Sequence, residues 1–171
     1  MPNYTDDYIK SILRSTKTIA MVGASGNEMR PSYFAMKYLL DKGFKVIPVN
    51  PTMVGKTILS QAAYGSLKDV PAPVDMVDIF RASDAAPGIV KESLTEKDRL
   101  GVKTIWMQLG VISEEAAAMA REAGLNVVMD RCPKIEYGRL SGEISWLGVN
   151  RRTIDNRKPL LFSKGGALKR G

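Results

Sequence analysis

One stretch governs what this chain can fold into. It is the apolar run Thr18 to Val22, cut off by Gly23 and followed shortly by Pro31. A run with β-branched residues and no polar alternation predicts a strand covered on both faces, as in a parallel sheet. Pro31 predicts the start of a helix, because a proline at the first helical position lacks an amide hydrogen that would have had no partner there. Between them, Gly23, Ser25 and Gly26 allow a tight turn that aims backbone amides outward. A strand, a glycine turn and a helix N-terminus in this order make a site for an anion, since free N–H groups and the positive end of the helix dipole converge on one point.

The same rhythm continues along the chain. Thr5 is placed to cap a helix from Asp6 to about Arg14, and Gly43 to end one running from Ser32 to Asp41. Phe44 to Val49 reads as the second strand. Val74 to Phe80, after the Pro-Ala-Pro turn at 71–73, reads as the third, with a helix from about Ser83 to Leu94 behind it. Thr104 to Met107 is the fourth strand, a helix capped by Ser113 and closed by Gly124 follows, and Leu125 to Met129 is the fifth. Short apolar strands alternating with helices predict an α/β fold with a doubly wound, five-stranded, mainly parallel sheet. Its ligand would lie off the C-terminal strand ends, where the winding reverses. After Arg131-Cys132-Pro133 the rhythm breaks: Glu143 to Val149 alternates weakly, as an edge strand or hairpin arm would, and Asn150 to Gly171 is polar and basic. The expected organisation is a nucleotide-binding domain with its N-terminal helix over 1–138 and a basic, partly mobile extension over 139–171.

Composition narrows the chemistry. None of the 171 residues is histidine, which removes the commonest general base, the Ser-His and Cys-His nucleophile pairs, most zinc sites and any phosphohistidine intermediate. Cys132 is the single cysteine, so neither an intramolecular disulfide nor a multi-cysteine metal site is available. There is no apolar run near the roughly 20 residues of a membrane span, and the N-terminus has neither a basic region nor an apolar segment of a secretory signal. A cytoplasmic, membrane-free protein is the expectation. Of the net charge of +7, +6 lies from Arg151 onward. A basic end on a nearly neutral globule reads as a solubilising or interaction tail rather than a nucleic-acid surface. Its apolar pieces, Trp146-Leu147 and Leu160-Leu161-Phe162, offer a contact for a partner protein or a second copy, with monomer and dimer both open.

The first turn departs from the nicotinamide fingerprint. Where that pattern has its three glycines, this chain has Gly23, Ser25 and Glu28, and the second strand ends in Asn50-Pro51 instead of the acid that would hold a free ribose diol. A nearby phosphate could instead be met by Arg30 or Lys56, so the residues favour a phosphorylated adenosine, as in coenzyme A or NADP. Five blocks then carry a family resemblance: Val-Gly-Ala-Ser-Gly-Asn-Glu-Met-Arg-Pro-Ser at 22–32, Val-Ile-Pro-Val-Asn-Pro at 46–51, Pro-Val-Asp-Met-Val-Asp-Ile-Phe-Arg at 73–81, Trp-Met-Gln-Leu-Gly-Val at 106–111 and Val-Val-Met-Asp-Arg-Cys at 127–132. The chain resembles the small stand-alone CoA-binding proteins, which are similar to the Rossmann-like CoA-binding domain of the succinyl-CoA synthetase α subunit.

That resemblance, over about 17–136, implies roles. Gly23, Ala24 and Ser25, with Arg30 and Ser32, would hold the CoA pyrophosphate; Asn50 and Pro51 would border the adenosine, with Lys56 a candidate for its 3′-phosphate. Phe80 and Arg81 would lie along the nucleotide, and Gln108 to Gly110 along the pantetheine arm. The synthetase pattern has a lysine where this chain has Met53, so Lys56 substitutes by charge and not by position. Cys132 follows the fifth strand and could meet the CoA thiol in a mixed disulfide. The implied function is a CoA or acyl-CoA binding protein without catalytic machinery of its own. An NADP-dependent oxidoreductase-like protein and an interaction protein acting through the basic tail are the alternatives.

Overall fold

The computed structural model describes residues 2–142. In chain order it contains helix α1 (Asp6–Ser15), strand β1 (Thr18–Val22), α2 (Pro31–Asp41), β2 (Lys45–Val49), a small hairpin of β3 (Thr57–Ile58) and β4 (Gln61–Ala62), β5 (Met76–Ile79), α3 (Ala86–Thr95), α4 (Lys97–Leu100), β6 (Thr104–Met107), α5 (Glu114–Glu122), β7 (Asn126–Val128) and α6 (Pro133–Leu140). The local signals act as expected at the helix starts. The amide of Tyr8 donates to Thr5 Oγ1 at 3.2 Å, and that of Ala116 to Ser113 Oγ at 3.2 Å.

The main sheet is parallel throughout, in the order β2-β1-β5-β6-β7. Side chains alternate between its faces. Ala20, Ile47, Val77, Ile79, Ile105 and Val127 go to a core with α3, α4 and α5; Ile19, Met21, Val46, Met76, Trp106 and Val128 go to a second core with α1, α2 and α6. This is the doubly wound architecture, three helices on each face. Both sheet edges, where unpaired backbone would otherwise face outward, are covered. Tyr8 OH sits against β7, accepting from Val127 N at 3.0 Å and facing Val127 O at 3.1 Å, and Met129 N donates to Tyr4 OH at 2.8 Å. On the other side Tyr64 N donates to Pro48 O at 3.0 Å, and Asn50 N to Tyr64 O at 2.8 Å.

Two elements go beyond the sequence expectations. The β3–β4 hairpin has strands too short for any period to register. Helix α6 begins at the point where the strand–helix rhythm breaks off, and it packs against α1 and α2. The helix expected from Ser83 starts as a 3-10 turn, Ser83–Ala85, before α3 proper. The arm at 143–149 and the basic segment beyond it lie outside the described residues.

Candidate functional site

The winding reverses beside β1. Its first crossover leads to β2 on one side, and every later strand of the main sheet is added on the other, so the loops leaving β1 and β5 diverge and open a crevice at their C-terminal ends. Gly23 leaves β1 at this point with φ +90°, its amide donating to Val49 O at 2.9 Å. A Cβ on Gly23 would lie 2.3 Å from Phe80 O and 2.9 Å from Arg81 Cδ. Glycine is required here both by the left-handed backbone and by the close approach of the β5 exit.

The turn that follows is held from several sides. Ser25 N donates to the hydroxyl of buried Ser32 at 3.1 Å, Asn27 N to Ser25 Oγ at 3.1 Å, and Met29 N to Asn27 Oδ1 at 2.9 Å. Asn50 Nδ2 donates to Ala24 O at 2.8 Å, while Asn50 Oδ1 accepts from the amide of Thr52 at 2.9 Å and so caps the 3-10 turn Pro51–Met53. Arg30 occupies the N-cap position of α2 without a side-chain cap bond, and Pro31 is the first helical residue. The protein's own hydrogen bonds thus fix the shape of the turn.

Above it lies a cavity of about 890 Å³. Of the residues expected at the site, Gly23, Ser25, Arg30, Ser32, Phe80, Arg81 and Gln108 line it together. Ala24 is buried and meets Asn50 through its carbonyl; Asn50, Pro51, Lys56 and Gly110 are not part of the lining, and Pro51, Lys56 and Gly110 are exposed. Gly110 instead anchors the loop that carries Gln108: its amide donates to Asp130 Oδ1 at 2.8 Å, with Asp130 itself at φ +56°. The lining also contains Phe34, Leu109, Cys132, Lys134 and Ile135. Lys134 and Ile135 escape sequence reasoning because they belong to α6. Pro133 after Cys132 was the available signal, the same proline-opened helix start as Pro31.

Among the described residues the lining carries three cations, Arg30, Arg81 and Lys134, and no acid. Beneath it is a buried carboxyl. The alternation that turns Met76 and Trp106 toward α2 and α6 turns Asp78 and Gln108 the same way, and Gln108 Nε2 donates to both oxygens of Asp78, at 3.1 and 3.2 Å. Burial pushes the Asp78 carboxyl up to about 8, with the Gln108 amide opposing the shift. Burial also pushes the Cys132 thiol above its ordinary range; the backbone amides of Ile135 and Lys134 at the start of α6 pull the other way.

Residues 17–138 match the family model described as a CoA binding domain. The chain belongs to this family. A Bacillus subtilis relative, the uncharacterized protein YneT, is 39% identical over 137 residues, spanning 80% of this chain and 97% of its own. A solved structure of a hypothetical protein from Pyrococcus horikoshii is 36% identical, with a TM-score of 0.74 over 81% of this chain and 93% of that one. The dinucleotide forming acetyl-coenzyme A synthetase 1 of Ca. Korarchaeum cryptofilum is 26% identical, with a TM-score of 0.56 over 68% of this chain but only 26% of its own length. The CoA-binding fold here therefore corresponds to one part of that larger protein and to nearly the whole of the smaller ones. Among the described residues no helix is long and apolar enough to cross a membrane.

Proposed function

We propose that this protein binds coenzyme A or an acyl-CoA in the cavity above β1 and β5, holds the pyrophosphate on the turn from Gly23 to Ser32, and has no ligase chemistry of its own. The observation that carries this reading is the meeting of Gly23, Ser25, Arg30, Ser32 and Arg81 on one cavity whose described lining is cationic and holds no acid. A pyrophosphate oxygen is a stronger acceptor than a serine hydroxyl. On binding it would take the Ser25 amide from Ser32, whose own hydroxyl would then donate to it, with the Arg30 guanidinium completing charge-assisted contacts. The adenosine would pass Asn50 and Pro51 toward the exposed Lys56, Phe80 and Arg81 would lie along the nucleotide, and the pantetheine arm would follow Gln108 to Gly110. Ligation of the kind that uses a phosphohistidine would need a partner chain, because this sequence has no histidine. The setting is the cytoplasm, and the basic segment beyond residue 150 serves contact with a partner protein or a second copy.

Calorimetry with CoA and NADP in parallel tests the reading, since both carry a phosphorylated adenosine. CoA should bind and NADP should be much weaker. Arg30→Ala should lower CoA affinity about ten- to a hundredfold, the loss expected for one hydrogen bond to a charged group. Micromolar NADP binding with no heat from CoA would overturn the proposal.

A further inference from the structure

Resting on the CoA reading above, we infer that Asp78 is a positioning residue that decides which end of the Gln108 side chain meets the ligand. With Asp78 ionised, Gln108 presents its carbonyl oxygen to the cavity and accepts an amide N–H of the pantetheine arm; with Asp78 protonated, that oxygen is withdrawn. Asp78 is fully buried, and its hydrogen-bond partner is Gln108 Nε2, at 3.1 and 3.2 Å from its two oxygens. Gln108 is itself only 5% exposed, yet it lines the cavity. Its backbone is held on both sides, the amide donating to Ile79 O at 3.3 Å and the carbonyl accepting from Val111 N at 2.8 Å, so the freedom left is rotation of the side-chain amide. The other end of that amide, Oε1, accepts from no described residue and is not sealed in the core. An acceptor on a nearly buried side chain, open to a cavity and without a donor, is a place for a ligand N–H.

The proton on Asp78 decides which end of the amide faces outward. A carboxylate can only accept, so it holds the nitrogen end of Gln108, the arrangement seen here. A carboxylic acid carries an O–H that needs an acceptor; turning the Gln108 amide over supplies Oε1 and points the NH2 group at the cavity instead. Neighbouring groups do not compete for this role. β1 and β6 flank Asp78 with Met21 and Trp106, and α1 turns Ile9, Ile12 and Leu13 inward. Arg30 of α2, Arg81 and Lys134 stand on the cavity lining, and Glu136 of α6 is paired with Arg139 at 2.6 Å. Burial raises the Asp78 carboxyl and Gln108 opposes it, with no contribution from these charges. The Cys132 thiol, lifted first by burial and further by Asp78, titrates above it. Because Asp78 is already fully buried, a ligand closing the cavity adds little to its desolvation. The new bond to Oε1 therefore sets the sign: it favours the ionised carboxyl, so CoA binding releases a proton.

Calorimetry of the full chain near pH 7.5, in buffers of different ionisation enthalpy, counts that proton. CoA should release about half a proton more from wild type than from Asp78→Asn, whose side chain has nothing to ionise. Relative to that variant, wild-type affinity should climb about two- to tenfold between about pH 6.5 and pH 9, the linkage of one hydrogen bond to one titration. Adenosine 3′-phosphate 5′-diphosphate, which is CoA without its arm, should show no difference between the two proteins. Gln108→Leu cuts the link and should both weaken CoA about two- to tenfold and remove the extra proton. Thermal melts check the fold, and either variant alone decides the matter if the other fails that check. Equal proton counts for wild type and Asp78→Asn overturn the inference while leaving CoA binding standing. Net uptake relative to the variant, or the same difference with the armless nucleotide, also overturns it. No heat from CoA at all removes the underlying reading as well.

Discussion

Asp78 makes the stability of this protein depend on pH in an unusual direction. It lies mid-strand in β5, with Met21 of β1 and Trp106 of β6 beside it in the sheet register, and it is fully buried. Its carboxyl is raised from an ordinary 3.8 to about 8, chiefly by burial. Between those values the folded protein keeps a proton that the unfolded chain gives up. The stabilisation is fully present below about pH 4, declines as pH rises, and is gone above about pH 8. The slope is at most about 1.4 kcal/mol per pH unit, the free energy of one proton. Asp78→Asn keeps the shape and a carbonyl to accept from Gln108 but has nothing to ionise. Urea denaturation of both proteins from pH 5 to pH 8, followed by far-UV circular dichroism, isolates the effect. The variant should gain on the wild type by about 4 kcal/mol across that range, whatever constant offset the substitution adds. Two stability profiles that run parallel would show that Asp78 is already ionised in the fold, and would refute the reasoning.

Two further outcomes follow from the same geometry. Gly23→Ala puts a Cβ 2.3 Å from Phe80 O at a φ of +90°; it should cost about 2–4 kcal/mol and abolish CoA binding, whereas a variant that melts like wild type and binds CoA would contradict the close-approach argument. For Cys132, CoA disulfide should give one adduct: the thiolate attacks the disulfide, one sulfur stays on Cys132 as a mixed disulfide and the other leaves as CoA thiolate. Intact-mass spectrometry should find this adduct absent from Cys132→Ser, reversed by a thiol reductant and formed faster as pH rises, because burial lifts the thiol above its ordinary range; no adduct on wild type rejects the role.

Much of the site is legible in one dimension because its parts are local. Gly23, Ser25, Arg30, Pro31 and Ser32 fall on one strand–turn–helix, and the backbone geometry that brings them together is dictated by glycine and proline at fixed offsets. Phe80, Arg81 and Gln108 came from the family resemblance, and they stand at the C-terminal ends of parallel strands, where ligands lie in such sheets. Lys56 is less legible. Charge alone suggested it, and the chain carries it on an exposed segment outside the lining. Helix α6 gave no amphipathic signal, since Pro133, Glu136, Tyr137, Gly138 and Leu140 are all buried and the polar and apolar members do not sort onto two faces.

The order of residues by itself determined the alternation of strands and helices, the parallel sheet, the glycine turn ahead of a proline-opened helix and the absence of histidine, because each depends on neighbours a few positions apart or on composition alone. Tertiary structure alone decided that Asp78 is entombed between β1 and β6, that α6 folds back to add Lys134 and Ile135 to the cavity, and that Phe34, Leu109 and Ile135 meet there. Burial and convergence are properties of packing between distant segments, and nothing in the local pattern of an acid or an exposed leucine records which surface will close over it or stand beside it.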